Sequence, residues 1–362
     1  MAEMTAGTPA RQRRWTRRPE GSTWGDFGPD DQLGRLNLLT SEKVRQGVAE
    51  VREGLVFCLS LPLDFPGGNV LNPRRHPPVL RPTLRGGRPN FNYAFADEQP
   101  GQTDVVCDDA AILHLQYSTQ WDSLAHVGGL FDADGDGVPE RVFYNGFRAG
   151  EHVVGPVDGH DAGAVGDTVE ARSTSAARAL GIEGMAATGV QGRAVMIDLH
   201  AHVGRERALI GHAELMRIME ADGVVVEPGD MVCLHTGFAE LLLEMDRNPD
   251  PKIVETSCAV LNGRDPALLD WITASGLSVL IADNYAVEAL PAQPAGHGDH
   301  CAAMPLHEHC LFKLGVHLGE IWHLTPLASW LRAHGRSRFL LTAPPLRLPG
   351  AVGSPATPVA TV

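Results

Sequence analysis

The sequence lacks any apolar run long enough to cross a bilayer, and its arginine-rich start is not followed by the apolar stretch of a secretory signal. Its six cysteines include no C-x-x-C pair, the spacing typical of zinc and redox motifs. Beyond the arginine-rich start, the formal net charge of −14 argues against a nucleic-acid or acidic membrane surface for the body of the protein, because phosphate neutralisation needs clustered Lys and Arg. We therefore expect a cytoplasmic protein with reduced cysteines that binds neither nucleic acid nor membranes.

The chain does contain enough apolar residues to bury a large core. Of its 362 residues, 43% are hydrophobic and 20% are charged. No internal repeat and no low-complexity linker divides the sequence. We expect a disordered basic tail over residues 1–20 and a single domain over residues 21–362.

Strand and helix patterns alternate through the second half of the sequence, which favours an α/β architecture. Apolar runs predict strands at 55–63, 111–119, 194–198, 231–236, 277–282, 316–321 and 339–342. Amphipathic patterns predict helices from Thr40 towards Val51 and at 213–221, 266–275 and 327–333. The Pro- and Gly-rich stretch 64–92 has no periodic pattern, so we expect an ordered loop that covers a pocket or reaches a neighbouring subunit.

A first polar cluster extends from Gln116 to His126, after one of the expected strands. Asp122 and His126 are four residues apart, so one helical turn would place them on the same face. A carboxylate beside an imidazole orients the ring and raises its basicity. Taken alone, the spacing is more typical of a capping residue and a surface histidine than of a catalytic pair.

A second cluster contains His307, His309, His317 and Glu320, near another expected strand. Imidazole and carboxylate ligands suit zinc or manganese, and metal sites usually gather ligands from separated segments. We interpret His309 and His317 as structural.

The first cluster resembles the signature of the putative-cyclase superfamily, H-x-G-T-H-x-D-x-P-x-H, which includes bacterial kynurenine formamidase and isatin hydrolase. Thr119, Asp122 and His126 match that pattern, whereas its two ligand histidines fall on Gln116 and Gln120. The resemblance is closest to a longer subgroup, with matching blocks in order at 24–31, 38–40, 118–126, 144–146, 282–288 and 353–355. It implies a swivelling β/β/α fold, an α/β class in which helices flank a mixed sheet, and a homo-oligomer, either a dimer or a tetramer.

The resemblance also implies a set of site residues. In the family's later block, a histidine followed about a dozen residues on by a glutamate completes the metal site, and here these are His307 and Glu320. The implied ligands of a zinc or manganese ion are Asp122, His307, Glu320 and Gln120, with Gln116 as a weaker candidate. The implied catalytic residues are His126, Asp122 and Glu320. The implied substrate-binding residues are Gln120, Trp121, Tyr144, Asp283 and Asn284.

The function implied is hydrolysis of a small cyclic amide, lactone or formamide, with His126 as general base and then acid. An amide oxygen is a weaker ligand than imidazole, so Gln116 and Gln120 leave three interpretations open. The ion is held by Asp122, His307 and Glu320 with help from Gln120, or binds only with substrate, or is absent. Its absence would indicate a metal-independent cyclase or dehydratase of secondary metabolism. Besides the metal-assisted hydrolase and the metal-independent enzyme, the third functional alternative is a non-catalytic ligand-binding relative.

One acidic segment imitates a calcium loop. Residues 132–137 read Asp-x-Asp-x-Asp-Gly, but the twelfth position of that loop is Phe143, where a bidentate Glu is required. A full EF-hand is excluded, and we expect an acidic hairpin turn.

Overall fold

A computed structural model describes residues 14–157, 173–295 and 300–362. The strands are β1 (Val56–Cys58), β2 (Val79–Pro82), β3 (Leu84–Arg85), β4 (Arg88–Pro89), β5 (Tyr93–Ala94), β6 (Val105–Val106), β7 (Asp109–Ile112), β8 (Gln120–Asp122), β9 (Gly129–Phe131), β10 (Glu140–Val142), β11 (Val153–Val154), β12 (Ala176–Ala177), β13 (Gln191–Asp198), β14 (Ala208–Ile210), β15 (Met231–His235), β16 (Ala259–Leu261), β17 (Val279–Ala282), β18 (His317–Glu320), β19 (Arg338–Thr342), β20 (Gly353–Pro355) and β21 (Val359–Thr361).

The helices are α1 (Ser41–Ala49), α2 (Ile182–Thr188), α3 (His200–Val203), α4 (His212–Ala221), α5 (Phe238–Glu244), α6 (Pro251–Thr256), α7 (Pro266–Ser275), α8 (Pro305–His307) and α9 (Thr325–Ala333). In the described ranges, 3₁₀ segments lie at Gly34–Leu38, Phe95–Asp97 and Tyr144–Gly146, and a π-helical segment at Glu308–Leu314. Within the described residues, no helix has the length and apolar character needed to span a membrane.

A mixed sheet forms the centre of the molecule. Within the described residues it has nine strands in the order β1-β21-β19-β13-β15-β17-β18-β8-β20. Strands β13, β15, β17 and β18 run parallel, and the neighbouring β19 and β8 are antiparallel to them. Two apolar clusters fill the spaces between the sheet and its flanking helices. The expected α/β fold with a mixed sheet flanked by helices is therefore confirmed.

The sheet determines where polar side chains gather. The carboxyl ends of parallel strands meet at one edge, and the last residues of β13, β15 and β18 are Asp198, His235 and Glu320. Strand β8 runs in the opposite direction, and its first residue, Gln120, pairs with Glu320. The start of β8 and the end of β18 are therefore neighbours at this edge.

The predicted strands of the parallel core and the helices that flank it are confirmed to within a few residues. Thr40 caps α1 as expected, because its hydroxyl accepts a hydrogen bond from the Lys43 N–H. The strand predicted at 111–119 is wrong, since β7 ends at Ile112. A turn follows, in which the Tyr117 N–H donates to the His114 carbonyl, and β8 begins only at residue 120.

The stretch 64–92 contains short strands that the sequence pattern did not indicate. Strands β2 and β7 pair outside the main sheet, as do β3 with β4 and β5 with β6. We call residues 79–112 the arm. Its exposed apolar side chains are Val79, Leu80, Leu84, Phe91, Val105 and Ile112. The alternation of apolar and polar residues is weak in this segment. All residues of β2 and β7 are exposed, so neither face of this small sheet is packed against the rest of the protein.

Residues 14–20 differ from the expected disordered tail, whereas residues 1–13 lie outside the described residues. Trp15 is only 8% exposed and packs against Trp24. The N–H groups of Thr16 and Arg17 both donate to the Ala133 carbonyl. A single large aromatic side chain therefore anchors the basic segment, which composition alone did not indicate.

Candidate functional site

Asp122, His307 and Glu320 come together, although they lie far apart in the sequence. All three are buried, and one ligand atom from each lies within 4.8 Å of the others. The Nε2 atom of His307 is 3.2 Å from Glu320 Oε1 and 4.0 Å from Asp122 Oδ2. Two acidic groups and an imidazole therefore share one small interior space at the edge of the sheet.

Gln116 and Gln120 each bind one of these carboxylates through an amide N–H. Gln116 Nε2 donates to Asp122 Oδ1, and Gln120 Nε2 donates to Glu320 Oε2 over 2.9 Å. The other oxygens, Asp122 Oδ2 and Glu320 Oε1, face His307. Asp122 Oδ2 and Gln120 Oε1 are buried and have no hydrogen-bond partner in the described part of the chain. Such orphaned buried oxygens are costly unless another group completes the site.

Glu288 is the functional residue that the sequence reasoning missed. Its buried carboxylate accepts hydrogen bonds from the backbone N–H groups of Leu306 and His307, both at 3.0 Å. These are orphan donors at the start of α8, so the carboxylate also caps that helix. It lies 2.8 Å from His307 Nδ1, which fixes the ring with Nε2 towards Glu320. The block containing Val287 and Glu288 was recognised in the sequence, but no role was attached to it.

The buried acids control the protonation of His307. Burial by itself lowers the pKa of His307, but hydrogen bonds to Glu288 and Glu320 and the charge of Asp122 outweigh it and raise the pKa to about 10. Burial raises the pKa of Asp122, and the charge of Glu320 adds to this, against opposing effects of His126 and His307. Without a bound cation, the imidazolium of His307 is the group that offsets the acidic cluster.

His126 lies at the outer side of the cluster. Its side chain is 22% exposed, and Nε2 is 4.0 Å from Asp122 Oδ2. The expected pair with Asp122 therefore forms, although through a turn and not a helix: the His126 N–H donates to the Ser123 carbonyl. A partly exposed imidazole beside a buried carboxylate can exchange protons with a bound molecule.

The donor set fits a divalent cation. Zinc or manganese binds oxygen and nitrogen ligands at about 2.0 to 2.2 Å, so two ligands of one ion lie at most about 4.4 Å apart. The distances of 3.2 and 4.0 Å from His307 Nε2 lie within that limit. Asp122 Oδ2, the oxygen at 4.0 Å, has no hydrogen-bond partner among the described residues, and Gln120 Oε1 is a further unpartnered oxygen on a side chain that contacts Glu320. Two carboxylates, an imidazole and an amide oxygen would favour a hard or borderline ion.

The residues predicted to bind substrate lie in different places. Gln120 belongs to the buried cluster, and Asn284 lines a cavity of about 470 Å³. Trp121 is fully buried, with its indole N–H donating to the Ala343 carbonyl, and Tyr144 is fully buried, with its hydroxyl donating to Asp31. Asp283 accepts hydrogen bonds from the backbone of Thr236 and Gly237 and holds the loop after β15. The last three contribute to packing and loop positioning.

The remaining titratable side chains singled out in the sequence make other contacts. His309 Nε2 is 2.9 Å from the Thr273 hydroxyl, and His317 Nδ1 donates to the Asp122 carbonyl. The acidic segment forms the turn of the hairpin β9–β10, as predicted. Its aspartates mainly accept backbone N–H groups within the turn, although their carboxylates lie within 4.8 Å of one another.

Comparison with known proteins gives a consistent result. A family model described as "Putative cyclase" matches residues 59–289, more than half of the chain. The crystal structure of a novel cyclase is 29% identical, covering 94% of this chain and 97% of that one, with a TM-score of 0.69. Isatin hydrolase A from Ralstonia solanacearum is 14% identical over 87% of this chain and 94% of its own, with a TM-score of 0.53. An isatin hydrolase bound to the product analogue thioisatinate is 13% identical over 89% and 99%, with a TM-score of 0.51. The two hydrolases share the fold of this chain, and no curated protein matches it.

Proposed function

The chain belongs to the "Putative cyclase" family, and we propose that it is a metal-assisted hydrolase acting on a small cyclic amide, lactone or formamide. The observation that carries this proposal is the buried group of Asp122, His307 and Glu320, whose ligand atoms lie within 4.8 Å of one another. The fold shared with proteins named isatin hydrolase supports hydrolysis.

Zinc or manganese would be held by Asp122, His307 and Glu320, with the amide oxygen of Gln120 as a further donor. When bound, such an ion polarises a scissile carbonyl and lowers the pKa of a water molecule. Gln116 is assigned a positioning role, because its amide N–H binds Asp122 Oδ1 and leaves Oδ2 exposed to the shared space.

His126 is the group that moves protons. It is partly exposed, so it can take a proton from attacking water and deliver it to the leaving nitrogen or oxygen. Asp122 Oδ2, 4.0 Å away, stabilises the imidazolium that forms between these two transfers. Burial of the carboxylates excludes bulk water and strengthens this electrostatic effect.

The proposal is tested by screening cyclic amides, lactones and formamides against protein purified without chelator. Turnover should disappear after chelation and return with zinc or manganese. Hydrolysis that persists undiminished in protein shown to be free of metal would contradict metal assistance.

A second candidate is a metal-independent cyclase or dehydratase. It is favoured by the hydrogen bonds of the ion-free cluster, in which both carboxylates accept from glutamine amides and His307 carries a proton. In that case His126 and the carboxylates perform acid–base chemistry alone. Ring closure or loss of water that survives chelation would support this candidate and exclude the first.

Replacing Gln120 by His should raise the affinity for zinc. The Gln120 side chain reaches Glu320, so an imidazole there would stand beside the same donors and bind the ion more strongly than an amide oxygen does. Calorimetric titration should show affinity at least about tenfold higher than in the unaltered protein. Gln46→His, on α1, is the control and should change nothing. Equal affinity in both variants would show that the side chain at position 120 does not reach the ion.

We also propose that the partners are a small-molecule substrate and a second copy of the chain. The arm exposes apolar side chains: Leu80 is 68% exposed and Leu84 is 74% exposed. In an isolated chain these side chains would remain in contact with water. Leu80→Glu combined with Leu84→Glu should reduce the mass measured by light scattering from that of an oligomer. Leu346→Glu, exposed outside the arm, should not. A monomeric unaltered protein would contradict the proposal.

For the compartment, we propose the cytoplasm. Cys233, Cys258 and Cys310 are buried free thiols, and burial raises the pKa of each, so they behave as core residues. Free thiols of this kind suit a reducing environment.

A further inference from the structure

A cavity of about 470 Å³ is lined in part by Asn284, whose carbonyl accepts a hydrogen bond from the N–H of Ile321, the residue after Glu320. Most of its lining is apolar, including Phe238, Val260 and Leu290. Its volume is within the range of cavities that hold small organic ligands. Four side chains with polar groups interrupt the apolar lining: Asn284, Arg207, Glu255 and Tyr285, whose hydroxyl accepts a hydrogen bond from Asn72.

Asn284 presents an acceptor that is not used. The side chain is only 2% exposed, and its Nδ2 group donates to the carbonyl oxygens of Ala259 at 2.9 Å and Val287 at 3.4 Å. These two acceptors fix the orientation of the amide, because a flipped amide would place oxygen against oxygen. Its Oδ1 atom is buried without a hydrogen-bond partner among the described residues. A ligand N–H or O–H would remove that cost.

Arg207 is a cation without a fixed counter-charge. Arg207 is exposed at the cavity. Its guanidinium donates a long hydrogen bond, 3.5 Å, to the Ser257 carbonyl. Within residues 14–157, 173–295 and 300–362, it forms no ion pair, although the exposed Glu255 lines the same cavity. A guanidinium with unused donors is suited to binding a carboxylate through two parallel hydrogen bonds.

The loop after β17 connects this cavity to the cluster. Asn284 and Tyr285 line the cavity, whereas Glu288, a few residues later, binds His307. Tyr285 also lines a narrow crevice whose wall includes Gln116. A molecule in the cavity would therefore contact the loop that carries Glu288 and the tyrosine that lines the crevice beside Gln116.

We propose that this cavity binds the non-reacting end of the substrate, an apolar acid that also carries an N–H or O–H donor. Its carboxylate binds Arg207, its donor binds Asn284 Oδ1, and its hydrophobic body packs on the apolar lining. The inference rests on the proposed function, because only that function makes the bound acid a substrate. Recognition of the acid, however, is a binding property. It can therefore be measured without turnover.

The test is calorimetric titration of three probes into the full chain: 3-hydroxybenzoate, which carries both groups, benzoate, which lacks the donor, and methyl 3-hydroxybenzoate, which lacks the charge. The hydroxy acid should bind most tightly. Benzoate should bind about five- to tenfold more weakly, because Asn284 Oδ1 then stays unpaired. Arg207→Gln should weaken binding of both acids by about 10- to 100-fold and leave the ester unchanged.

Glu255→Gln is the matched control, since it removes the other charge that lines the cavity. It should leave binding of the acids unchanged or strengthen it, because a like charge is lost. Weaker binding in Glu255→Gln together with unchanged binding in Arg207→Gln would overturn the inference. Equal affinity for acid and ester would also do so. Binding as expected in a protein that hydrolyses nothing would overturn only the proposed function.

Discussion

Alanine at position 126 is expected to slow turnover by about 10²- to 10⁴-fold while the affinity for zinc or manganese stays nearly constant. His126 is partly exposed and stands beside Asp122 Oδ2, outside the group of the three ligand candidates. Its loss therefore removes proton transfer but none of the proposed ligands. Steady-state kinetics on a substrate from the screen, together with calorimetric ion binding, separates the two effects.

His152→Ala is the control for the position-126 variant, since the His152 side chain is also 22% exposed but lies in the turn before β11. It should retain turnover. Full activity in His126→Ala would remove this residue from the mechanism, and loss of ion affinity in the same variant would make it a ligand.

The apparent affinity for a divalent ion is expected to rise by about tenfold per pH unit between pH 6.5 and 8.5. In the ion-free protein, Glu288, Glu320 and Asp122 raise the pKa of His307 to about 10 despite its burial. Below that pH the ring carries a second proton, at the nitrogen that faces Glu320, and the proton must leave before the ion can bind. At higher pH fewer protons compete with the ion for His307. The affinity for the ion therefore increases with pH until the pH reaches the pKa of His307.

Calorimetry in buffers of different ionisation enthalpy should show about one proton released for each ion bound near pH 7. Glu288→Gln removes a charge that raises the pKa of His307, so fewer protons should be released. It should also lower the intrinsic affinity by about 10- to 100-fold, as expected for loss of an outer carboxylate partner. If the affinity for the ion did not vary with pH, ion binding would not displace a proton from His307.

The centre of the parallel core could be predicted because β15 and β17 are mainly apolar runs that are buried on both faces. Strand β8 could not, although it carries Asp122. Its three residues are buried, yet two are polar: Gln120 binds Glu320, and Asp122 lies 4.0 Å from His307, both partners being distant in sequence. From the sequence alone, a short polar strand of this kind has the pattern of a loop. Only the strands that pair with it identify it as part of the sheet.

The site was predictable where a motif supplied the residues and less so where packing decided their roles. Asp122, His307 and Glu320 were assigned together from their blocks, and they converge. Glu288 acts on His307 through a helix start, a contact that no local spacing reveals. Trp121 lies inside the motif, but strand alternation directs its indole to the Ala343 carbonyl and into the core.

Elemental analysis of purified protein tests the central claim most directly. The described part of the chain contains two groups of possible ligands, the buried one around Asp122 and the surface turn around Asp134, so Asp122→Asn and Asp134→Asn form a matched pair of isosteric changes. We predict about one zinc or manganese ion per chain in the unaltered protein and in Asp134→Asn, and almost none in Asp122→Asn. No ion in the unaltered protein after incubation with either metal, or loss of the ion in Asp134→Asn alone, would contradict the account.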